Sequence, residues 1–218
     1  ANWQEELKVT LEGEVRYPGE YTIKEGESLT EVIARAGGLT EFAAPEAAFF
    51  TRQSLKDLEQ KQARNMARSL SKELAFKSIS SSYANVNVSE VQLLVNQLTT
   101  VEGVGRLVID LPKLLNKEQA DVKLENGDSL LVPSFRNEVN VIGEVQVATS
   151  HIHNDGWDFE NYIRSSGGLR QQADDDRIYV IRANGLVDVP DNGWFGDDDM
   201  VINAGDTIVV PLDAGYTD

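Results

Sequence analysis

Apolar and polar residues alternate near the start of the chain, over residues 8–15, as expected for a β-strand with one buried face. The sequence Tyr17-Pro18-Gly19-Glu20 that follows is rich in turn-forming residues, and a second apolar stretch, residues 21–23, comes directly after it. We therefore predict a β-hairpin at the beginning of the chain, with its turn at Pro18 and Gly19.

The pattern changes to a helical period after this hairpin. Apolar side chains recur at helical spacing at Leu29, Val32, Ile33 and Ala36. Ser28 precedes them and Glu31 follows three residues later, which is the arrangement of a capping box. Gly37 comes directly after the last apolar residue, where glycine readily takes the left-handed conformation that ends a helix. One short helix is therefore predicted between Ser28 and Gly37.

This pattern occurs twice along the chain. The matching segments are Glu12-Gly13-Glu14-Val15 with Ile142-Gly143-Glu144-Val145, Gly37-Gly38-Leu39 with Gly167-Gly168-Leu169, and residues 127–133 with residues 205–211. The first two pairs are 130 positions apart and the last pair is 78 apart. Matching segments in one order indicate a duplicated domain. The change of offset places 52 additional residues in the first copy, between Arg52 and Gly127.

Further strands are predicted over residues 47–52, 106–110 and 129–132, the last of them after the tight-turn sequence Asn126-Gly127-Asp128. Two strands, a helix and further strands follow the order of a β-grasp domain. We therefore predict an α+β fold of two tandem β-grasp domains, residues 1–136 and residues 137–218. The second copy has Val147-Ala148-Thr149 in place of Tyr-Pro-Gly, so its first hairpin lacks a turn signal. Its helix has Asp158 as a candidate cap.

The additional residues, at about 53–104, form a predicted helical insertion in the first domain. One amphipathic helix is expected over residues 54–79 and a second after Ser89. The apolar stripe of the first helix contains Leu55, Leu58, Met66, Leu70 and Leu74, and its other faces carry Lys56, Lys61, Arg64, Arg68 and Lys72. The insertion has a net charge of +1, whereas residues 140–218 have a net charge of −11. The basic side is either a solvated helix face or a contact surface for the acidic second domain or for neighbouring copies.

The amino-acid composition argues against several kinds of site and partner. The 218 residues contain no cysteine, which excludes thiolate metal sites, disulfides and thiol nucleophiles. A net charge of −16 argues against binding to nucleic acid or anionic lipid. The sequence shows neither a signal peptide nor an apolar run long enough to span a membrane. The opening Ala1-Asn2-Trp3 is expected to lie inside a longer protein.

Three segments of the first copy resemble the SLBB domain, the soluble ligand-binding β-grasp. They are Gly13-Glu14-Val15-Arg16-Tyr17-Pro18-Gly19, Ala36-Gly37-Gly38-Leu39-Thr40, and Leu124-Glu125-Asn126-Gly127-Asp128. The segment Gly105-Arg106-Leu107-Val108-Ile109-Asp110-Leu111 is similar to one in SLBB-containing polysaccharide export proteins. The resemblance implies a periplasmic part of an outer-membrane capsule or exopolysaccharide exporter, in which tandem SLBB domains stack as rings around a conduit. The expected partners are other subunits of that complex and, in the full-length protein, further copies of the chain. Only parts absent from this chain would meet the membrane.

Several residues are candidates for chemistry. His151 and His153 lie two apart on a predicted strand and therefore on one face, but no third metal ligand is evident. The runs 174–176 and 197–199 consist of aspartates and lack the ligand spacing of an EF-hand, which favours solvated acidic loops. Aromatic side chains that could stack on sugar rings are Tyr17, Trp157, Tyr179 and Trp194. Trp157, just before a helix, fits a hydrophobic staple equally well.

The remaining motif residues are expected to be structural. They are Gly13, Pro18, Gly19, Gly37, Gly38, Gly127, Asp128, Gly143, Gly167, Gly168, Gly205 and Asp206. We predict no catalytic residue, metal or cofactor, because no carboxylate pair suited to sugar hydrolysis can be singled out. Three functions remain: an assembly module of an export complex, a saccharide-binding module, and, least supported, an enzyme acting on polysaccharide. The net negative charge is expected to repel an anionic polymer, so that any contact with polysaccharide is weak.

Overall fold

The computed structural model describes residues 6–79, 88–190 and 200–215. These residues form two five-stranded sheets and several helices, which is the predicted α+β class. The helices are α1 (Leu29–Arg35), α2 (Gln53–Ile79), α3 (Val88–Thr100), α4 (Leu111–Leu115) and α5 (Phe159–Ser165). Two short 3-10 helices span Pro45–Ala47 and Asp175–Arg177. No helix among the described residues is both long enough and apolar enough to cross a membrane.

The first sheet has the order β2-β1-β5-β3-β4. Its strands are β1 (Leu7–Gly13), β2 (Gly19–Ile23), β3 (Phe49–Thr51), β4 (Arg106–Leu107) and β5 (Ser129–Val132). The central strands β1 and β5 are parallel, with Leu11 opposite Leu130, and the other neighbours are antiparallel. The strand predicted over residues 106–110 is thus only two residues long.

The second sheet repeats this arrangement in the order β7-β6-β10-β8-β9. Its strands are β6 (Glu138–Gly143), β7 (Thr149–Ile152), β8 (Tyr179–Ile181), β9 (Val187–Asp188) and β10 (Thr207–Val210). Val141 of β6 is opposite Ile208 of the parallel strand β10, as Leu11 is opposite Leu130 in the first sheet. The two copies therefore share strand order, strand direction and register. We refer to them as the first and second halves.

The hairpin of the second half forms without a Tyr-Pro-Gly turn. In both halves a single residue after the first strand, Val15 or Val145, pairs with the residue that follows the helix exit, Leu39 or Leu169. In each half, five residues join the first strand to the second, residues 14–18 and residues 144–148. The bridge holds this connection beside the end of the helix. Tertiary pairing therefore fixes the hairpin of the second half, and the absence of a local turn signal is without effect.

The ends of α1 and α5 follow the sequence predictions. The backbone N–H of Ser28 donates a hydrogen bond to the Glu31 carboxylate (2.7 Å), and the Asp158 carboxylate accepts one from the backbone of Asn161 (2.8 Å). At the end of α1, Gly38 N–H donates to the Ile33 carbonyl (2.9 Å), while Gly37 has φ +83°. This is the Schellman termination, and it recurs after α5.

Each sheet has its own hydrophobic core, which includes residues of α1 and α4 in the first half and of α5 in the second. The first core includes the buried residues Val9, Leu11, Leu29, Ile33, Phe50 and Leu130, and the second includes Val139, Val141, Phe159, Tyr162, Ile178 and Ile208. No residue belongs to both clusters. Each half therefore has a hydrophobic core of its own, which a domain needs in order to fold independently.

Helix α4 was not predicted. It begins directly after the strand that was predicted over residues 106–110. Asp110 caps it by accepting a hydrogen bond from the backbone of Lys113 (3.1 Å), and Pro112 lies in its first turn, where its missing N–H costs little. Local capping therefore fixes the start of α4 at Leu111.

Helices α2 and α3 pack against each other as a helical arm inserted between β3 and β4. Ala67 of α2 and Val95 of α3 are buried in this contact. Leu58 and Met66 were expected to belong to the apolar stripe, but they are 48% and 57% exposed. Ala67 is buried and Ala63, Leu70 and Leu74 are half-buried, while Leu58 and Met66 lie farther round the helix from Ala67, so the contact with α3 covers only part of the predicted stripe. Ser89, the expected cap of the second helix, lies inside the first turn of α3.

We expect the outer part of the arm to be removable without unfolding either sheet. Replacing residues 61–98 with a short Gly-Ser linker keeps the base of the arm, where the Gly105 N–H donates to the Glu59 carboxylate (2.9 Å). Shortening a surface connection changes the free energy of unfolding by only about 1 kcal/mol. Urea unfolding followed by circular dichroism checks this. Loss of a cooperative transition would show instead that the arm belongs to the core.

Candidate functional site

One arginine in the first half reaches a buried carboxylate. Arg52, directly after β3, donates from Nε to Asp128 Oδ1 (3.1 Å) and from Nη2 to Oδ2 (2.9 Å). The Asp128 side chain is fully buried and also accepts from the backbone N–H of Glu125 (2.8 Å). Arg52 Nη2 donates as well to the Lys123 carbonyl (2.7 Å). This bidentate pair ties the end of β3 to the turn that begins β5.

The second half contains the same pair at the equivalent positions. Arg182 Nη1 donates to Asp206 Oδ2 (2.7 Å), and Arg182 Nε donates to Asp188 Oδ2 (2.6 Å). Asp206 is 1% exposed and accepts from the backbone of Asn203 (2.8 Å) and Ala183 (3.2 Å). Both pairs are enclosed by their own half. They stabilise a turn, and Arg182 and Asp206 also line a cleft between the two halves.

Glu14 and Glu144 occupy equivalent positions but have different partners. The Glu14 carboxylate accepts hydrogen bonds from Thr40 Oγ1 (2.5 Å) and Ser134 Oγ (2.6 Å). Glu144 instead faces Arg170, 3.8 Å from its Nη1. The hydrogen bonds from Ser134 and Thr40 lower the pKa of Glu14 from its ordinary value of 4.5. Those from the backbone and side chain of Ser28 likewise lower the pKa of Glu31.

We expect the first half to lose stability as the pH falls below about 4.5. A carboxyl group with a lower pKa in the folded protein than in the unfolded chain stabilises the fold above its unfolded pKa. That contribution is lost as the pH falls through the folded value. Urea midpoints measured from about pH 3 to pH 7 should show a weaker dependence in Thr40→Val/Ser134→Ala, which removes both donors to Glu14. Thr22→Val, at an exposed position, serves as the control. An unchanged pH profile in the double variant would contradict this assignment.

The two histidines do not form a shared site. His151 Nε2 is 2.8 Å from Ser166 Oγ, whereas His153 Nε2 is 2.8 Å from the Ile202 carbonyl. Asp155 Oδ1 lies 3.4 Å from His153 Nδ1. In the part of the chain that the structure describes, no three histidine, aspartate or glutamate residues are grouped so that they could hold a metal. The aspartates at 197–199 lie outside this part.

The three aromatic candidates for sugar stacking that the structure describes do not come together. Tyr17 is 65% exposed, and its ring lies against the backbone at Gly37. Tyr179 is half-buried in β8 of the other half, opposite Val209. Trp157 packs against the second core, with its ring 5.1 Å from that of Tyr162 in an edge-on contact. Because Trp157 precedes the cap of α5 and Tyr162 lies in its second turn, this contact has the form of a hydrophobic staple. Trp194 lies outside the described residues.

A cleft of about 640 Å³ lies between the two halves, and the sequence did not predict it. Its lining includes Phe135, Asn137, His153, Arg182, Asn184 and Asn203. A smaller cavity of about 240 Å³ adjoins it and shares Phe135 and Glu46. Phe135 is 53% exposed and belongs to the segment that joins β5 to β6. An exposed aromatic ring beside several amides offers both stacking and hydrogen bonds to a sugar. The only signal for this cleft in the sequence is Phe135 itself, an aromatic residue in a mostly polar connection.

Comparison with known proteins supports the resemblance seen in the sequence. Residues 8–62 match the family described as the SLBB domain. Two curated proteins, both named polysialic acid transport protein KpsD and both from Escherichia coli, are 35% identical to the chain over 106 residues. The alignment covers 47% of this chain and 18% of each relative, so the chain matches about a fifth of their length. Residues 8–62 therefore match the SLBB domain, and about half of the chain shows homology to part of a polysaccharide transport protein.

Proposed function

We propose that this chain is a non-catalytic structural module of an outer-membrane polysaccharide export complex. In this proposal it acts in the periplasm, its partners are other subunits and further copies of the chain, and the full-length protein provides any contact with the membrane. The observation that carries the proposal is the 35% identity to the polysialic acid transport protein KpsD over 106 residues. That alignment falls on a chain whose two halves have the same sheet order.

The two halves are proposed to be tandem β-grasp domains with boundaries at residues 1–136 and 137–218. The mixed order β2-β1-β5-β3-β4, with α1 covering one face of the sheet, supports this identification in the first half. The separate core and the repeated register support it in the second. A pair of similar rigid units joined by a short segment is suited to stacking in a larger assembly.

Saccharide binding is the second candidate function, and the cleft between the halves favours it. Calorimetric titration with neutral oligosaccharides should show dissociation constants no tighter than about 1 mM, a binding free energy of about −4 kcal/mol. A micromolar complex that is lost in Phe135→Ala would make saccharide binding the primary function. A micromolar complex lost in Trp157→Ala would instead assign the binding to Trp157.

The export proposal is tested in the organism that makes the protein. In-frame removal of residues 6–215 from the full-length protein should abolish polymer at the cell surface while the polymer is still synthesised. Polymer should then accumulate inside the cell, and reinsertion of the segment should restore export. Normal surface polymer in the deletion strain, with the truncated protein present at its usual level, would overturn the proposal.

A further inference from the structure

The outer face of α2 carries a row of cationic side chains. Lys61, Arg64, Arg68 and Lys72 follow one another at helical spacing, and all four are exposed. We call these four residues the cationic stripe. Ala67, which is 2% exposed, marks the side of α2 that packs against α3, and the exposed stripe lies beside that side and faces solvent.

The cationic stripe lies beside a groove, and its charges lack ion-pair partners within the described residues. Among the described residues, none of its four side chains forms an ion pair, whereas Arg52, Arg164, Arg177 and Arg182 all do. A groove of about 330 Å³ runs beside it, lined by Asp57, Gln60, Lys61, Arg64, Asn65 and Arg68. Gln60 and Asn65 add amide donors and acceptors to the cations. This groove therefore offers both charge and hydrogen bonds.

The position of the stripe separates it from the negative charge of the two halves. At 1.5 Å per residue, the stripe begins about 12 Å and ends about 28 Å along the helix from Gln53 at the base of the arm. Charges in water are screened beyond about 8 Å at physiological salt. The net charge of −16 therefore does not cancel the local positive potential of the stripe.

We propose that the cationic stripe binds an acidic polysaccharide, a polymer that carries a carboxylate on each sugar. This deepens the proposed function by naming the polymer class and the surface that contacts it. Arginine side chains pair with carboxylates through two parallel hydrogen bonds. Each exposed pair is weak on its own, but successive turns of the helix present cations to successive carboxylates of one chain, and such linked contacts reinforce one another.

The acidic second half of another copy is a less suitable partner. Many of its described carboxylates are already engaged: Asp206 and Asp188 with Arg182, Asp174 with Arg177, and Glu160 with Arg164. Two copies would also approach each other with net charges of the same sign. A polymer of this kind is also negatively charged, but its carboxylates are unpaired, and it can reach the stripe beyond the screening length of the charges on the two halves.

The test is the binding of labelled polysialic acid to the purified chain, measured at low and at physiological salt. Arg64→Glu/Arg68→Glu should weaken binding at least tenfold, and added salt should weaken the wild type. The matched control is Arg16→Glu/Lys24→Glu, which changes the net charge equally at exposed positions of the first half and should alter affinity less than threefold. Neutral dextran should not bind. Circular dichroism confirms that both variants are folded.

Three results would overturn the proposal. The first is that the wild type does not bind polysialic acid. The second is that the stripe variant binds it as tightly as the control variant does. Alternatively, light scattering shows a wild-type oligomer that the stripe variant dissociates while polymer binding is unchanged, which would assign the stripe to a second copy. None of these results affects the export proposal, which is decided by surface polymer in the deletion strain.

Discussion

Replacing Gly143 with alanine is expected to destabilise the second half by about 3–5 kcal/mol, a large fraction of the stability of a domain. A Cβ atom at this position would lie 2.0 Å from the Val210 carbonyl oxygen, and the residue has φ +95°. Gly13 is in the same position in the first half, 2.1 Å from the Val132 carbonyl oxygen with φ +79°. The obstacle is backbone in both cases, so no side-chain rotation can relieve it. The two parallel central strands must separate.

Gly38 and Gly168 provide matched controls for this prediction. They also have positive φ, +81° and +86°, but no atom lies within 4 Å of the position that a Cβ would occupy. Alanine there should cost only about 1–2 kcal/mol, from the backbone conformation alone. Urea unfolding of Gly143→Ala beside Gly168→Ala separates the two causes. Equal losses in both variants would show that backbone conformation, and not the close strand contact, makes Gly143 necessary.

The internal repeat made much of the fold predictable. Gly13 and Gly143 were found because they recur at one offset, and the same repeat located both helices and the last strand of each half. Periodicity alone did not determine which side of a long helix is buried. Met66 was assigned to the apolar stripe of α2, yet the contact with α3 selects the face that contains Ala67.

The sequence did not predict which side chains contact each other. Arg52 and Asp128 are 76 positions apart because the arm separates them, and no local pattern joins them. The cleft beside Phe135 arises from the way the two halves meet, which the sequence of neither half encodes locally. Trp157 was predicted with two alternatives, and the contact with Tyr162 has the geometry of the staple. In each case the prediction would have required knowing how distant parts of the chain are arranged in the folded protein.

The second large loss of stability is expected from changes to the Arg52–Asp128 pair. Arg52→Ala should lower the free energy of unfolding by about 3 kcal/mol, because it leaves a fully buried carboxylate without its cation. Asp128→Ala should cost less, since Arg52 is still 3.0 Å from the more exposed Glu125 carboxylate. Arg52→Lys keeps the charge but loses the bidentate geometry, so its effect should be intermediate.

A double-mutant cycle isolates the contribution of the pair. Arg52→Ala/Asp128→Ala should be less destabilised than the sum of the two single variants, because the second change removes the unpaired carboxylate. Arg182→Ala is the equivalent change in the second half, where Asp206 would keep only backbone donors. Since the two pairs belong to separate cores, Arg52→Ala/Arg182→Ala should show the sum of its single effects. Strong coupling between Arg52 and Arg182 in urea unfolding would mean that the halves do not fold independently, and the proposed boundary between residues 136 and 137 would then be wrong.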